Sequence, residues 1–183
     1  MMKTKALLGV TLAGAGLLSM TSPAVSAAEA PVRTSATSAT SSAAAARGIT
    51  GVHYIQPAHA PGKCVTAHAW DTSTRAKINQ WTCQGQRNQR WNFMENSVRH
   101  WIKSESSNKC LDGADMSKGV KVLQWRCKSS LNQAWSVIPR GGNTFSIQVG
   151  TQCLDVEGGS RSNGARLILW KCKNVKNQRF HLR

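Results

Sequence analysis

The sequence predicts an all-β fold for residues 50–183, and three observations carry that expectation. Three segments of nearly equal length repeat in register, short alternating apolar stretches recur between Gly, Asn and Ser clusters, and helix-forming Glu is scarce while Trp numbers seven. A period within about 20–50 residues signals a repeat architecture, and each unit has room for about four short strands. Propeller blades have a similar length, but a propeller needs about 4–8 of them. Three four-stranded units closing on one axis make a β-trefoil. The 183 residues suit one domain plus a tail, because domains take roughly 100–200 residues. The composition excludes a collagen, a coiled coil and a multi-pass membrane protein.

In chain order, residues 1–30 read as a secretory signal peptide. Lys3 and Lys5 form its charged start, residues 6–20 are an apolar run lightened by Gly9, Gly14 and Gly16, and cleavage falls after Val25-Ser26-Ala27 or Ala28-Glu29-Ala30. As a transmembrane anchor the run falls short of the about 18–20 residues a bilayer requires, so no membrane span is expected. Residues 34–46 contain only Ser, Thr and Ala, with no apolar periodicity to bury. Residues 31–49 therefore read as a flexible linker. Export makes the protein secreted and extracellular, where an even set of six Cys favours disulfides over metal.

The three units of residues 50–183 share three motifs. The first runs Gly62-Lys63-Cys64-Val65-Thr66, then Gln80-Trp81-Thr82-Cys83, then Asn88-Gln89-Arg90-Trp91. The second runs Asn108-Lys109-Cys110-Leu111-Asp112, then Gln124-Trp125-Arg126-Cys127, then Asn132-Gln133-Ala134-Trp135. The third runs Thr151-Gln152-Cys153-Leu154-Asp155, then Leu169-Trp170-Lys171-Cys172, then Asn177-Gln178-Arg179-Phe180. The Trp-x-Cys step recurs after 44 and then 45 residues. Ala76-Lys77-Ile78, Val120-Lys121-Val122 and Ala165-Arg166-Leu167 alternate as half-buried strands do. Trp91, Trp135 and Phe180 are expected to be equivalent core residues.

These Cys-Leu-Asp, Trp-x-Cys and Gln-x-Trp (QxW) signatures resemble those of the ricin B-chain-like (R-type) lectins, also called family 13 carbohydrate-binding modules. The resemblance covers about residues 50–183. It implies a β-trefoil that binds sugar without catalysis and without a cofactor. It also implies that sugar contacts fall on Asp112, Trp125 and Asn132 and on Asp155, Trp170 and Asn177, with Gln133 and Gln178 helping to hold the acids. The residue two before each Trp contributes too: Asn79, Leu123 and Ile168, where the family tolerates an aliphatic side chain.

A geometric argument stands beside the resemblance. In a strand, residues two apart share a face. If Cys110 and Cys127 are bonded across antiparallel strands, Asp112 should sit near Trp125. The same construction places Asp155 near Trp170 across Cys153 and Cys172, and Thr66 near Trp81 across Cys64 and Cys83. An indole suits the C–H-rich face of a pyranose, and an ionised carboxylate accepts strong hydrogen bonds from adjacent hydroxyls. In the first repeat Thr66 replaces the acid, so the set Thr66, Asn79, Trp81, Asn88 and Gln89 is expected to be weak or degenerate. The expected ranking is third, second, first. Packing alone is the competing account of Trp81, Trp125 and Trp170, and Gln89, Gln133 and Gln178 are expected to serve buried backbone groups as well.

Charge is the second signal. The chain carries 24 Lys and Arg against 8 Asp and Glu, a net +16, of which +13 lies in residues 50–183. Such a field attracts polyanions, including acidic polysaccharides and cell-wall polymers. No helix-turn-helix, zinc finger or RNA-stacking signature accompanies it, so specific nucleic-acid recognition is not expected. His53, His59, His68, His100 and His181 lack metal-ligand spacing. Glycoside hydrolysis needs two carboxylates about 5–10 Å apart, and the one tempting pair, Asp112 with Asp115, has its second member in a turn-like stretch. The alternatives to a lectin for galactosides, xylan or cell-wall polysaccharide are a polyanion binder acting by charge and a protein-binding or inhibitory trefoil with vestigial sugar sites.

Overall fold

The computed structural model describes residues 48–183. The expected signal peptide at residues 1–30 and most of the linker at residues 31–49 lie outside the described residues. Each repeat supplies four strands. The first holds β1 (Gly51–Pro57), β2 (Lys63–Ala67), β3 (Ile78–Thr82) and β4 (Arg90–Asn96). The second holds β5 (Arg99–Ser104), β6 (Cys110–Asp112), β7 (Leu123–Trp125) and β8 (Ser136–Pro139). The third holds β9 (Phe145–Val149), β10 (Gln152–Val156), β11 (Leu167–Lys171) and β12 (Phe180–Leu182).

The outer strands of the repeats close a six-stranded antiparallel barrel. β1 pairs with β12 and β4, β4 with β5, and β9 with both β8 and β12. The remaining seam, β5 to β8, is closed by the bridge between His100 and Trp135. Closure removes the open edges that would otherwise invite pairing with another chain. The hairpins β2–β3, β6–β7 and β10–β11 join one another through the bridges Lys77–Leu123, Lys121–Ile168 and Asn79–Arg166. This arrangement is the β-trefoil that the repeats predict.

Trp91, Trp135 and Phe180 are fully buried together with Ile55, Phe93, Ile102, Leu111 and Leu154. An indole buried this deeply must satisfy its N–H. Trp91 donates to the Val65 carbonyl and Trp135 to the Leu111 carbonyl, each at 2.9 Å. The three disulfides form within repeats, Cys64–Cys83, Cys110–Cys127 and Cys153–Cys172, with Cα separations of 5.1, 5.0 and 5.0 Å.

The alternating triplets differ from expectation in one respect. Lys77, Lys121 and Arg166 make isolated bridges to a neighbouring repeat, and the hairpin strands proper begin at Ile78, Leu123 and Leu167. The alternation therefore reports contact between repeats more than pairing within one. Gln80 and Gln124 add to the seams. Gln80 Nε2 donates to the carbonyls of Ser160 and Ser162 at 2.7 and 2.9 Å, and Gln124 Nε2 to those of Asp71 and Ser73 at 2.7 and 2.9 Å. Leu169 takes the corresponding place in the third repeat and cannot donate.

Candidate functional site

Each repeat ends its hairpin with a disulfide and then makes a single 3-10 turn, Arg87–Gln89, Leu131–Gln133 or Lys176–Gln178. That turn brings the Asn-Gln pair back beside the strand that carries the acid. In the third repeat Asn177 Nδ2 donates to Asp155 Oδ1 at 2.9 Å and Gln178 Nε2 to Oδ2 at 2.7 Å. In the second, Asn132 Nδ2 and the Ala114 N–H donate to Asp112 Oδ1 at 2.9 and 2.7 Å, and Gln133 Nε2 to Oδ2 at 2.8 Å. A carboxylate offers about four lone-pair positions. Asp155 therefore keeps more free acceptor capacity than Asp112.

The ladder register corrects the construction made from the sequence. Asp112 stands opposite Leu123 and Asp155 opposite Ile168, not opposite the indoles. Cys110 and Cys153 are the residues opposite Trp125 and Trp170. The disulfide is not a rung of the ladder, because β7 ends at Trp125 and β11 at Lys171, before Cys127 and Cys172. Each indole is thus the diagonal neighbour of its acid, a separation of about 7–8 Å that a large side chain still reaches across.

Three cavities result. Asp155, Ile168, Trp170, Asn177 and Gln178 line the third, of 490 Å³, with Glu157 and Lys173 at its sides. Asp112, Leu123, Trp125 and Asn132 line the second, of 230 Å³, while Gln133 lies fully buried behind Asp112. Thr66, Asn79, Trp81, Asn88 and Gln89 line the first, of 160 Å³. None of the three indoles is fully buried, and Trp81 is 37 % exposed.

Burial of Asp155 pushes its carboxyl above the ordinary carboxylate range, opposed by the hydrogen bonds from Gln178 and Asn177 and by the charges of His59 and Lys173. Cations sit against the indoles. Lys118 Nζ lies 4.4 Å from the Trp170 ring centroid, and Arg75 and Lys128 lie 5.8 and 5.9 Å from that of Trp125. Asp115, the second member of the tempting acidic pair, is turned to its own loop. Its Oδ1 accepts from the Ser117 N–H and hydroxyl at 2.9 and 2.7 Å, which holds its carboxyl below the usual value.

The profile of the ricin-type β-trefoil lectin domain matches residues 49–182. The chain belongs to this lectin family. Among solved structures, this lectin domain is similar to ThreeFoil, a designed threefold-symmetric protein, at TM-score 0.69 and 26 % identity over 72 % of this chain and 97 % of that one. A Macrolepiota procera ricin B-like lectin in complex with lactose gives TM-score 0.64 and 20 % identity, covering 73 % of this chain and 96 % of that one. An exo-β-1,3-galactanase from Clostridium thermocellum gives 0.68 and 23 %, covering 74 % of this chain but 30 % of that one. A search of curated proteins gives no match.

Sequence reasoning missed several residues that line these three cavities. His68 and Trp70 line the first, Arg75 and Lys128 the second, and Glu157 and Lys173 the third. One signal was available for Trp70. It stands outside the recurring motifs, at a loop position taken by Met116 in the second repeat and by Gly159 in the third. Among the described residues, no group of three or more His, Cys, Asp or Glu could hold a metal ion, and no helix is long and apolar enough to cross a membrane.

Proposed function

We propose that this domain is a non-catalytic lectin that binds galactose- or xylose-type rings, as single sugars or within a cell-wall polysaccharide, in its second and third pockets. The observation that carries the reading is the third pocket, where an acid held by two amides shares one open cavity with a partly exposed indole. The indole offers a face for the C–H side of the ring, and the free lone pairs of Asp155 accept from two hydroxyls. Asn177, Ile168 and Gln178 complete that pocket, and Asp112, Trp125, Asn132, Leu123 and Gln133 form its smaller counterpart. The lactose complex of the Macrolepiota lectin supports the galactoside class. Both acids receive amide hydrogen bonds on both oxygens, which suits steady acceptors rather than proton donors. Three disulfides suit an exported protein.

The test is a binding screen over galactosides, xylan and cell-wall polymers at low and high salt. Trp125→Ala with Trp170→Ala is expected to abolish binding to neutral glycans. Unchanged binding in that variant overturns the reading. The +13 charge favours a second reading, attraction of acidic polymers by charge alone, whose mark is affinity that collapses with salt and ignores both indoles.

A further inference from the structure

The second and third pockets carry opposite charge. Arg75 and Lys128 line the second with one acid, Asp112. Lys173 lines the third with two, Asp155 and Glu157. Lys118 lies against Trp170 but outside the lining of that cavity. Asp112 is also the more fully engaged acid, since the Ala114 N–H joins the two amides that hold it. A ligand entering the second pocket therefore meets more positive than negative charge, and one entering the third meets the reverse.

The two cations are placed to touch whatever packs on Trp125. Arg75 Cζ and Lys128 Nζ lie 5.8 and 5.9 Å from its ring centroid. Both residues are exposed, and among the described residues neither charged group has a hydrogen-bond or ion-pair partner. Arg75 comes from the first repeat and holds its place at φ 73°, where the other seams have Gly119 and Gly164. Glycine adopts that backbone freely and Arg does not, and strain of this kind collects at binding sites. The guanidinium presents a planar fork that matches two oxygens of a carboxylate or sulfate, and the ammonium adds a point charge on a flexible stem.

We propose that the second pocket prefers sugar rings bearing an anionic group, a uronate carboxylate or a sulfate ester, which Arg75 and Lys128 hold while the ring packs on Trp125. The proposal rests on the lectin reading of that pocket and adds its specificity. Trp125 and Asn132 serve the neutral part of the ring, and the two cations read its charge. The third pocket disfavours the same substituent, because Asp155 and Glu157 would face it in a partly desolvated cavity where like charges repel. One domain thus sets a neutral-sugar site beside an acidic-sugar site.

The test is calorimetric titration of galactose, galacturonate and galactose sulfated on its exocyclic oxygen. Single sugars lack the many charges of a polyanion, and about 0.15 M salt, with a screening length of about 8 Å, mutes the distant surface. In the Trp170→Ala variant, which keeps the second pocket, at least one anionic ring is expected to bind about tenfold or more tighter than galactose. The tighter of the two names the group. In the Trp125→Ala variant, which keeps the third pocket, the order is expected to reverse. Adding Arg75→Gly and Lys128→Gln to the Trp170→Ala variant is expected to bring the ratio of anionic to neutral affinity to about one. Both substitutions copy a sister repeat, which carries Gly119 or Gly164 at the first position and Gln84 at the second. A structural effect would lower both affinities alike and leave their ratio. An equal preference in the two single variants, or a ratio that ignores the paired substitution, overturns the proposal. If the wild-type protein binds galactose and no anionic ring is preferred, only the charge specificity falls. If it binds no sugar at all, the lectin reading falls first.

Discussion

Gln178 ties three pieces of the third pocket together through one amide. Its Nε2 donates to Asp155 Oδ2 at 2.7 Å and to the Lys171 carbonyl at 3.0 Å, and its Oε1 accepts from the Lys173 N–H at 2.7 Å. The acid, the end of β11 and the loop after Cys172 are therefore fixed relative to one another. Gln178 is 1 % exposed, so water cannot replace these bonds readily. Gln178→Ala is expected to destabilise the domain by about 1–3 kcal/mol, the cost of leaving buried polar groups unpaired. Urea unfolding measures it, and a change below about 0.5 kcal/mol, the range of an ordinary surface substitution, contradicts this account.

The raised carboxyl of Asp155 sets a pH dependence. Its folded value lies above the ordinary 3.8, so protonation on acidification begins sooner in the folded state than in an unfolded chain. Its contribution to stability therefore declines as pH rises through that window, while its capacity to accept hydroxyl hydrogen bonds grows. Binding of a neutral galactoside to the Trp125→Ala variant, which keeps the third pocket, is expected to fall with a midpoint above pH 3.8. Asp155→Asn is expected to remove that acid limb. A profile flat down to pH 3.8 separates binding from this carboxylate.

His100 gives a second dependence, of opposite sign for stability. Its backbone closes the barrel seam against Trp135, its ring lies 6.3 Å from Phe93, and it is 4 % exposed. Neither ring nitrogen makes a well-formed hydrogen bond. Burial holds its value below the ordinary 6.5, partly offset by the Trp135 carbonyl, the charge of Glu95 and the Ile49 carbonyl. The unfolded chain therefore takes up the proton first. Stability from this group is present above pH 6.5 and is lost as pH falls toward the folded value. His100→Phe is expected to flatten the pH dependence of urea unfolding below pH 6.5, and an unchanged slope excludes His100 as its source.

The repeats made the architecture legible because each motif serves the same structural need three times. Cys153, Trp170 and Phe180 align with their counterparts, and a period with three equivalents admits few folds. The grouping of Asp155 with Trp170 and Asn177 could also be read, since a diagonal neighbour in a hairpin is still a neighbour. The register could not be read. A disulfide between Cys153 and Cys172 suggests a rung, but Cys172 lies beyond the end of β11 and the bond reaches back diagonally. Residues that one repeat brings to another, such as Arg75 beside Trp125 or Lys118 beside Trp170, carry no within-repeat signal. His68 and Trp70 were hidden for the opposite reason. They belong to one repeat alone, and comparison among the three passes over what is not shared.

Arg75 offers a test of how the repeats back one another. It occupies the place held by Gly119 and Gly164, and all three have positive φ, of 73°, 85° and 85°. Their N–H groups make the same seam bond, Arg75 to the Gln124 carbonyl, Gly119 to that of Leu169 and Gly164 to that of Gln80, at 2.8, 2.7 and 2.9 Å. Each then abuts the next indole. A Cβ on Gly119 would lie 3.5 Å from Trp170, and one on Gly164 would lie 3.9 Å from Trp81. Left-handed backbone costs a non-glycine residue about 1–2 kcal/mol, which glycine avoids at some cost in unfolded-state entropy. Arg75→Gly is therefore expected to raise stability by about 0.5–1 kcal/mol while removing the guanidinium from the Trp125 ring. Chemical unfolding reads the first effect and iodide quenching of Trp fluorescence the second. A loss of stability instead means that the contact between Arg75 and Trp125 outweighs the strain it requires.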